Sequence, residues 1–100
     1  MFKHIVIWKL KDHARGGGKA ENAQLLKKKL EELSDKIPQI VRIEAGLNMS
    51  ASDASGDVVL YSEFKSLGDY ETYQRHPDHV ELLSFLKEIV EWRAVVDYEV

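Results

Sequence analysis

The chain contains no cysteine, which removes disulfides, thiolate metal sites, iron–sulfur ligation and thiol nucleophiles in one step. That absence suits a reducing compartment, and a cytoplasmic location is expected. Long apolar runs are missing as well. No stretch approaches the roughly 18 residues of a membrane helix, and Lys3, His4 and Lys9 break up the opening residues where a signal peptide would carry an apolar core. Nor is there a surplus of positive charge: 14 Lys and Arg stand against 17 Asp and Glu. With the signs mixed along the chain, nothing concentrates a field for nucleic acid. Proline occurs only twice, at Pro38 and Pro77, and each is expected at a helix boundary.

Two cofactor motifs fail on spacing. The run Gly16-Gly17-Gly18 precedes a helical pattern, but Lys19 is followed by Ala20 and no glycine stands at the earlier position a phosphate-binding loop needs. Lys11–Gly18 is therefore expected to be a mobile polar connection. No His and carboxylate set shows a recognisable ligand spacing, so no metal is expected.

What is present is the composition of a folded domain, 44% hydrophobic and 31% charged over 100 residues, enough for one core and too few for two. We read residues 1–100 as a single domain. Phe2 to Leu10 alternates with both faces apolar: Phe2, His4, Val6, Trp8 and Leu10 on one, Ile5 and Ile7 on the other. Ala23, Leu26, Leu30, Leu33 and Ile37 then recur at steps of three and four between mixed charges, an amphipathic helix that Pro38 ends. A second strand runs from Ile40 to Leu47, with Val41, Ile43, Ala45 and Leu47 set against Ile40, Arg42, Glu44 and Gly46. A third runs from Val58 to Phe64 after a turn rich in Ser, Asp, Asn and Gly.

Ser66-Leu67-Gly68-Asp69 has the form of a helix-starting capping box. The short helix it opens carries Tyr70 and Tyr73 and must stop near Arg75. Pro77 suits the first position of another helix, with Asp78 and Glu81 in its first turn and His79, Leu82, Leu83, Leu86, Ile89 and Val90 on one face. Arg93 to Val100 is the fourth strand, Ala94, Val96 and Tyr98 lying opposite Val95, Asp97 and Glu99. Strand, helix, strand, strand, helix, strand is the split order of an α+β, ferredoxin-like four-stranded antiparallel sheet with its helices on one face. The other face would stay wet in a monomer, so a homodimer is expected.

Three stretches resemble the stress-responsive A/B barrel domain family: Lys3-His4-Ile5-Val6, the set Tyr73, His76, Pro77, Asp78 and His79, and Val96-Asp97-Tyr98. The resemblance spans nearly the whole chain and implies a dimeric α/β barrel made by joining two such sheets. Members in plants are linked to stress tolerance. One relative is a polyketide cyclase that uses a tyrosine and a histidine without metal or cofactor, and by that resemblance His79, Tyr73 and His4 are the candidate catalytic residues.

The residues themselves agree with that choice. His79 shares a helix face with three leucines and sits in a first turn, where burial and the helix dipole both disfavour the imidazolium and leave a neutral base. His4 shares a strand face with Val6 and Trp8, so the two rings could meet across a cavity lined by Val6, Trp8, Leu26, Leu60 and Val96. A small hydrophobic or aromatic ligand is the expected occupant, with Trp8 narrowing the space. His76 is expected to cap a helix, His13 to be incidental, and Tyr70 and Trp92 to be core or interface aromatics. Two other functions fit the same scaffold: a non-catalytic binding or structural module in which the histidines only pack, and a haem-type monooxygenase, since haem-degrading enzymes share the dimeric barrel.

Overall fold

The computed structural model describes residues 1–100. Its organising element is β1 (Phe2–Leu10), which lies inside a four-stranded sheet. There it pairs antiparallel with β5 (Val58–Phe64) on one side and β6 (Val90–Glu99) on the other, and β4 (Ile40–Leu47) completes the order β4-β5-β1-β6. The strand whose two faces are both apolar takes a central place, where helices cover one of them. Phe2, His4, Val6, Trp8 and Leu10 are all buried beneath those helices.

Three helices cover that face. The first, α1 (Lys19–Lys36), buries Ala23, Leu26, Leu30 and Leu33, and the backbone leaves helical geometry at Ile37 directly before Pro38. The second, α2 (Leu67–Arg75), is capped by the Ser66 hydroxyl, which accepts from the Asp69 amide at 3.1 Å. In α3 (Pro77–Ile89) the cap is His76, whose Nδ1 accepts from the Asp78 amide at 3.2 Å, with Pro77 in the first turn. Both short helices start where the sequence signals place them. Phe85, outside the face assigned to α3 from sequence, is buried along with Leu82, Leu86 and Ile89.

Three segments depart from the sequence expectation. The fourth strand, expected from Arg93, begins at Val90, so Val90 belongs to β6 and not to the face of α3. Lys11–Gly18 is not a mobile connection: β2 (His13–Ala14) and β3 (Gly17–Gly18) form a small hairpin. Arg15 and Gly16 both take positive φ at its turn, the backbone twist that a two-residue hairpin loop favours. The Asn22 side chain donates to the Ala14 carbonyl at 3.0 Å, and Arg15 pairs with Glu88 at 2.6 Å, so the hairpin is tied to α1 and α3. In β4 a register shift between Ile40 and Arg42 changes the alternation. Ile40 and Ala45 are both buried while Val41 is exposed, because a bulge lets a strand change phase without breaking the sheet.

Gly56 has no room for a side chain. A Cβ there would stand 2.3 Å from the Ile7 Cγ2 and 3.2 Å from the Trp8 carbonyl. The Asp57 amide, next in the chain, donates to that same carbonyl at 2.7 Å, which holds the segment against β1. Gly56→Ala is expected to cost about 1–3 kcal/mol through overpacking, measured by urea unfolding.

The sheet face away from the helices carries Ile7, Val59 and Val96, which are 39%, 38% and 58% exposed, together with Trp92 and Tyr98. No helix is long and apolar enough to cross a membrane.

Candidate functional site

The β1–β6 register places His4 opposite Asp97, Val6 opposite Val95 and Trp8 opposite Arg93. Side chains alternate along a strand, so Arg93, Val95 and Asp97 share the helix-side face with His4, Val6 and Trp8. Above them, α2 and α3 contribute Tyr70, Tyr73, His79 and Leu82, enclosing a cavity of 410 Å³. That size suits a small organic molecule. Its β6 wall is exposed along its length, so the cavity opens at that edge of the sheet.

Of the residues singled out from sequence, His4, Tyr73, His79, Val6, Trp8 and Leu60 all line this cavity. Leu26 and Val96 do not. Leu26 is fully buried in the core cluster beneath α1, because its turn of the helix meets the sheet away from the opening. Val96 pairs with Ile5 and lies on the opposite sheet face; its neighbour Val95 takes the wall position. Trp8 forms part of the wall and leaves the cavity open.

Each imidazole is fixed through the same ring atom. His4 Nδ1 lies 2.5 Å from Asp97 Oδ1; a carboxylate only accepts, so Nδ1 donates. The His4 carbonyl in turn accepts from the buried Ser62 hydroxyl at 2.9 Å. His79 Nδ1 donates to the Gln74 carbonyl at 3.0 Å, which in the neutral ring leaves Nε2 with its lone pair. This contact exists because α2 ends at Arg75 and Pro77 starts α3 at once, bringing the last-turn carbonyl of one helix to the first turn of the next.

Tyr73 stands between the two histidines, its ring centroid 4.5 Å from His79 and 6.4 Å from His4. Tyr70 stacks on Phe2 at 4.7 Å, lies 4.7 Å from His4, and accepts from Gln74 Nε2 at 2.9 Å. Tyr70 is thus a pocket aromatic as well as a core one.

Burial sets the protonation states. It lowers the pKa of His79 below its ordinary value; the Gln74 carbonyl partly opposes this, and the nearby His4 adds to it. Burial raises Tyr73 well above the usual phenol range, helped by Tyr70. Tyr70 is pushed up to about 12, first by burial and then by the Asp97 charge. The result is a neutral imidazole able to take a proton beside a neutral phenol able to donate a hydrogen bond. No three His, Asp or Glu side chains gather as a metal cage would require.

Sequence reasoning missed Asp97 and Arg93 as site residues. For Asp97 the signal was available: an acid on a strand beside the one carrying His4 is a ready partner for an inward-facing imidazole.

A four-stranded antiparallel sheet with helices on one face and a histidine–tyrosine cavity beneath them defines a ferredoxin-like α+β protein. The chain belongs to the stress responsive A/B barrel domain family, which its residues 2–100 match. A dimeric ferredoxin-like protein of unknown function from Bacteroides fragilis is 41% identical, over 99% of this chain and 95% of that one, with a TM-score of 0.86. An Arabidopsis thaliana protein is 24% identical, over 100% and 95% of the two chains, with a TM-score of 0.82. The hydroxynitrile lyase of Passiflora edulis is 16% identical, over 99% and 92%, with a TM-score of 0.80. At these last two identities the likeness is one of fold. Among curated proteins, none matches the chain.

Proposed function

We propose that this chain is a homodimeric, cofactor-free acid–base enzyme acting on a small hydrophobic or aromatic carbonyl compound. The observation that carries the proposal is the pair of imidazoles, each anchored at Nδ1 by a fixed acceptor, that share one cavity with the Tyr73 phenol between them. His79 Nε2 removes a proton from the carbon beside the substrate carbonyl. The C–H electron pair moves into the new C=C bond of an enolate, and the carbonyl π pair moves onto oxygen. Tyr73 donates a hydrogen bond to that oxygen, and the His4–Asp97 pair orients the substrate and assists the proton's return. Neutral forms of base and donor are what the step requires.

The scaffold supports this use, since a hydroxynitrile lyase is built on the same fold, although fold alone assigns no reaction. The second copy is proposed from the uncovered sheet face together with the dimeric state of the Bacteroides fragilis relative.

The test is deuterium uptake. In D2O the neutral diketone 1-phenylbutane-1,3-dione is expected to exchange its α-protons at least about 100-fold faster with the protein than with buffer, the scale of a positioned general base. Exchange at the buffer rate would leave the cavity as a binding or packing feature, the second function open to this scaffold.

A further inference from the structure

We propose that the substrate of this pocket is an apolar keto acid, with Arg93 as the residue that selects its carboxylate; this rests on the acid–base function proposed above for the same cavity. Arg93 lies inward on β6 opposite Trp8. It lines both the histidine–tyrosine cavity and a second cavity of 450 Å³ that adjoins it along α3. Trp8, Leu83 and Leu86 are shared by the two cavities, so the guanidinium stands over an apolar floor that runs from one into the other.

The charges in this trough are uneven. Asp97 is taken by His4 at 2.5 Å, and Glu91, which borders the second cavity, makes no ion pair with Arg93 within 4.0 Å. Of the other arginines, Arg15 and Arg42 have carboxylate partners. Arg75 and Arg93 have none within 4.0 Å, and of these two it is Arg93 that lines the histidine–tyrosine cavity. Its charge also reaches the hydroxyl of Tyr70 inside the pocket, where it opposes the rise in that group's pKa.

An unpaired guanidinium at the mouth of an apolar pocket recognises a planar anion, because its fork of N–H donors matches a carboxylate. Four residues of strand separate Arg93 from Asp97, about 13 Å at the usual rise per residue. A carboxylate on Arg93 therefore leaves length for an apolar segment over Trp8 and Leu86 and a carbonyl beside Tyr73 and His79.

The test compares 3-phenylpropanoate with its neutral amide, 3-phenylpropanamide, by NMR titration of the full chain. Wild type is expected to bind the acid about 10-fold or more tightly than the amide, the weight of a charge-assisted hydrogen bond. In Arg93→Gln the acid falls to the level of the amide, while Arg93→Lys keeps part of the preference. Equal binding of acid and amide by wild type, a preference that survives Arg93→Gln, or no binding of the acid would each overturn the assignment. None of these touches the acid–base function, which the neutral diketone tests separately. Loss of the dimer in Arg93→Gln would also overturn it, by showing that the guanidinium serves a second copy of the chain.

Discussion

His79→Gln is expected to reduce α-proton exchange on the neutral diketone by roughly 100- to 10,000-fold, the contribution of a positioned general base. Glutamine fills much of the same volume and can still donate to the Gln74 carbonyl, so the helix junction should persist and the loss should appear in rate, not in folding. The pH profile separates the two. Because burial holds His79 below its ordinary value, the wild-type rate should hold below pH 6.5 before it falls with the folded-state protonation.

Stability has a sign of its own. A histidine whose folded pKa is depressed takes up a proton more readily when unfolded. Its contribution is therefore intact above the unfolded value of about 6.5 and is lost as pH falls through the folded one. Thermal melts between pH 7 and pH 5 should show wild type losing more stability than His79→Gln. Equal losses, with an unchanged exchange rate, would remove His79 from the mechanism.

Val59→Asp should separate the dimer. Val59 pairs with Ile7 on β1 and with Gly46 on β4, which puts it near the middle of the uncovered sheet face. In a two-fold interface each copy would bury a carboxylate without a partner, at about 3–5 kcal/mol for each uncompensated charge. Dissociation by a factor on the order of 1,000 or more follows from that cost, read by sedimentation at micromolar concentration. In the isolated chain the position is 38% exposed, so the monomer itself should stay folded. A variant that remains dimeric would place the interface elsewhere.

Much of this architecture was legible in the residues because it follows from periodicity and from local stop signals. Leu26, Leu30 and Leu33 announce the buried stripe of α1, and Ser66, Pro38 and Pro77 mark helix ends by chemistry that depends on no distant partner. What failed was phase. Val95 and Val96 are adjacent and alike, and Val95 shares its face with Arg93, Asp97 and Glu99, which reads as a solvated face until the pairing with β1 shows that it borders the cavity. The bulge near Val41 is of the same kind, since an inserted residue leaves the composition of a strand unchanged. The Lys11–Gly18 hairpin was hidden because its anchors, Asn22 and Glu88, lie outside the segment. Within the site, the histidines and Tyr73 stood out by type and position. Arg93 did not, because an arginine on an edge strand reads as a solvated charge until the register shows what lies beneath it.

The His4–Asp97 hydrogen bond spans 93 residues of chain, nearly the greatest separation the molecule offers. It depends on β6, an edge strand held by β1 alone and exposed along its length. Such a strand belongs to the part of a structure that opens first. When it peels away, α1, α2, β4 and β5 keep their mutual contacts, but His4 loses its anchor and the cavity loses a wall. The proposed site would thus be lost while most of the chain is still folded, and a second copy packed against the sheet would act as a clasp that keeps it assembled.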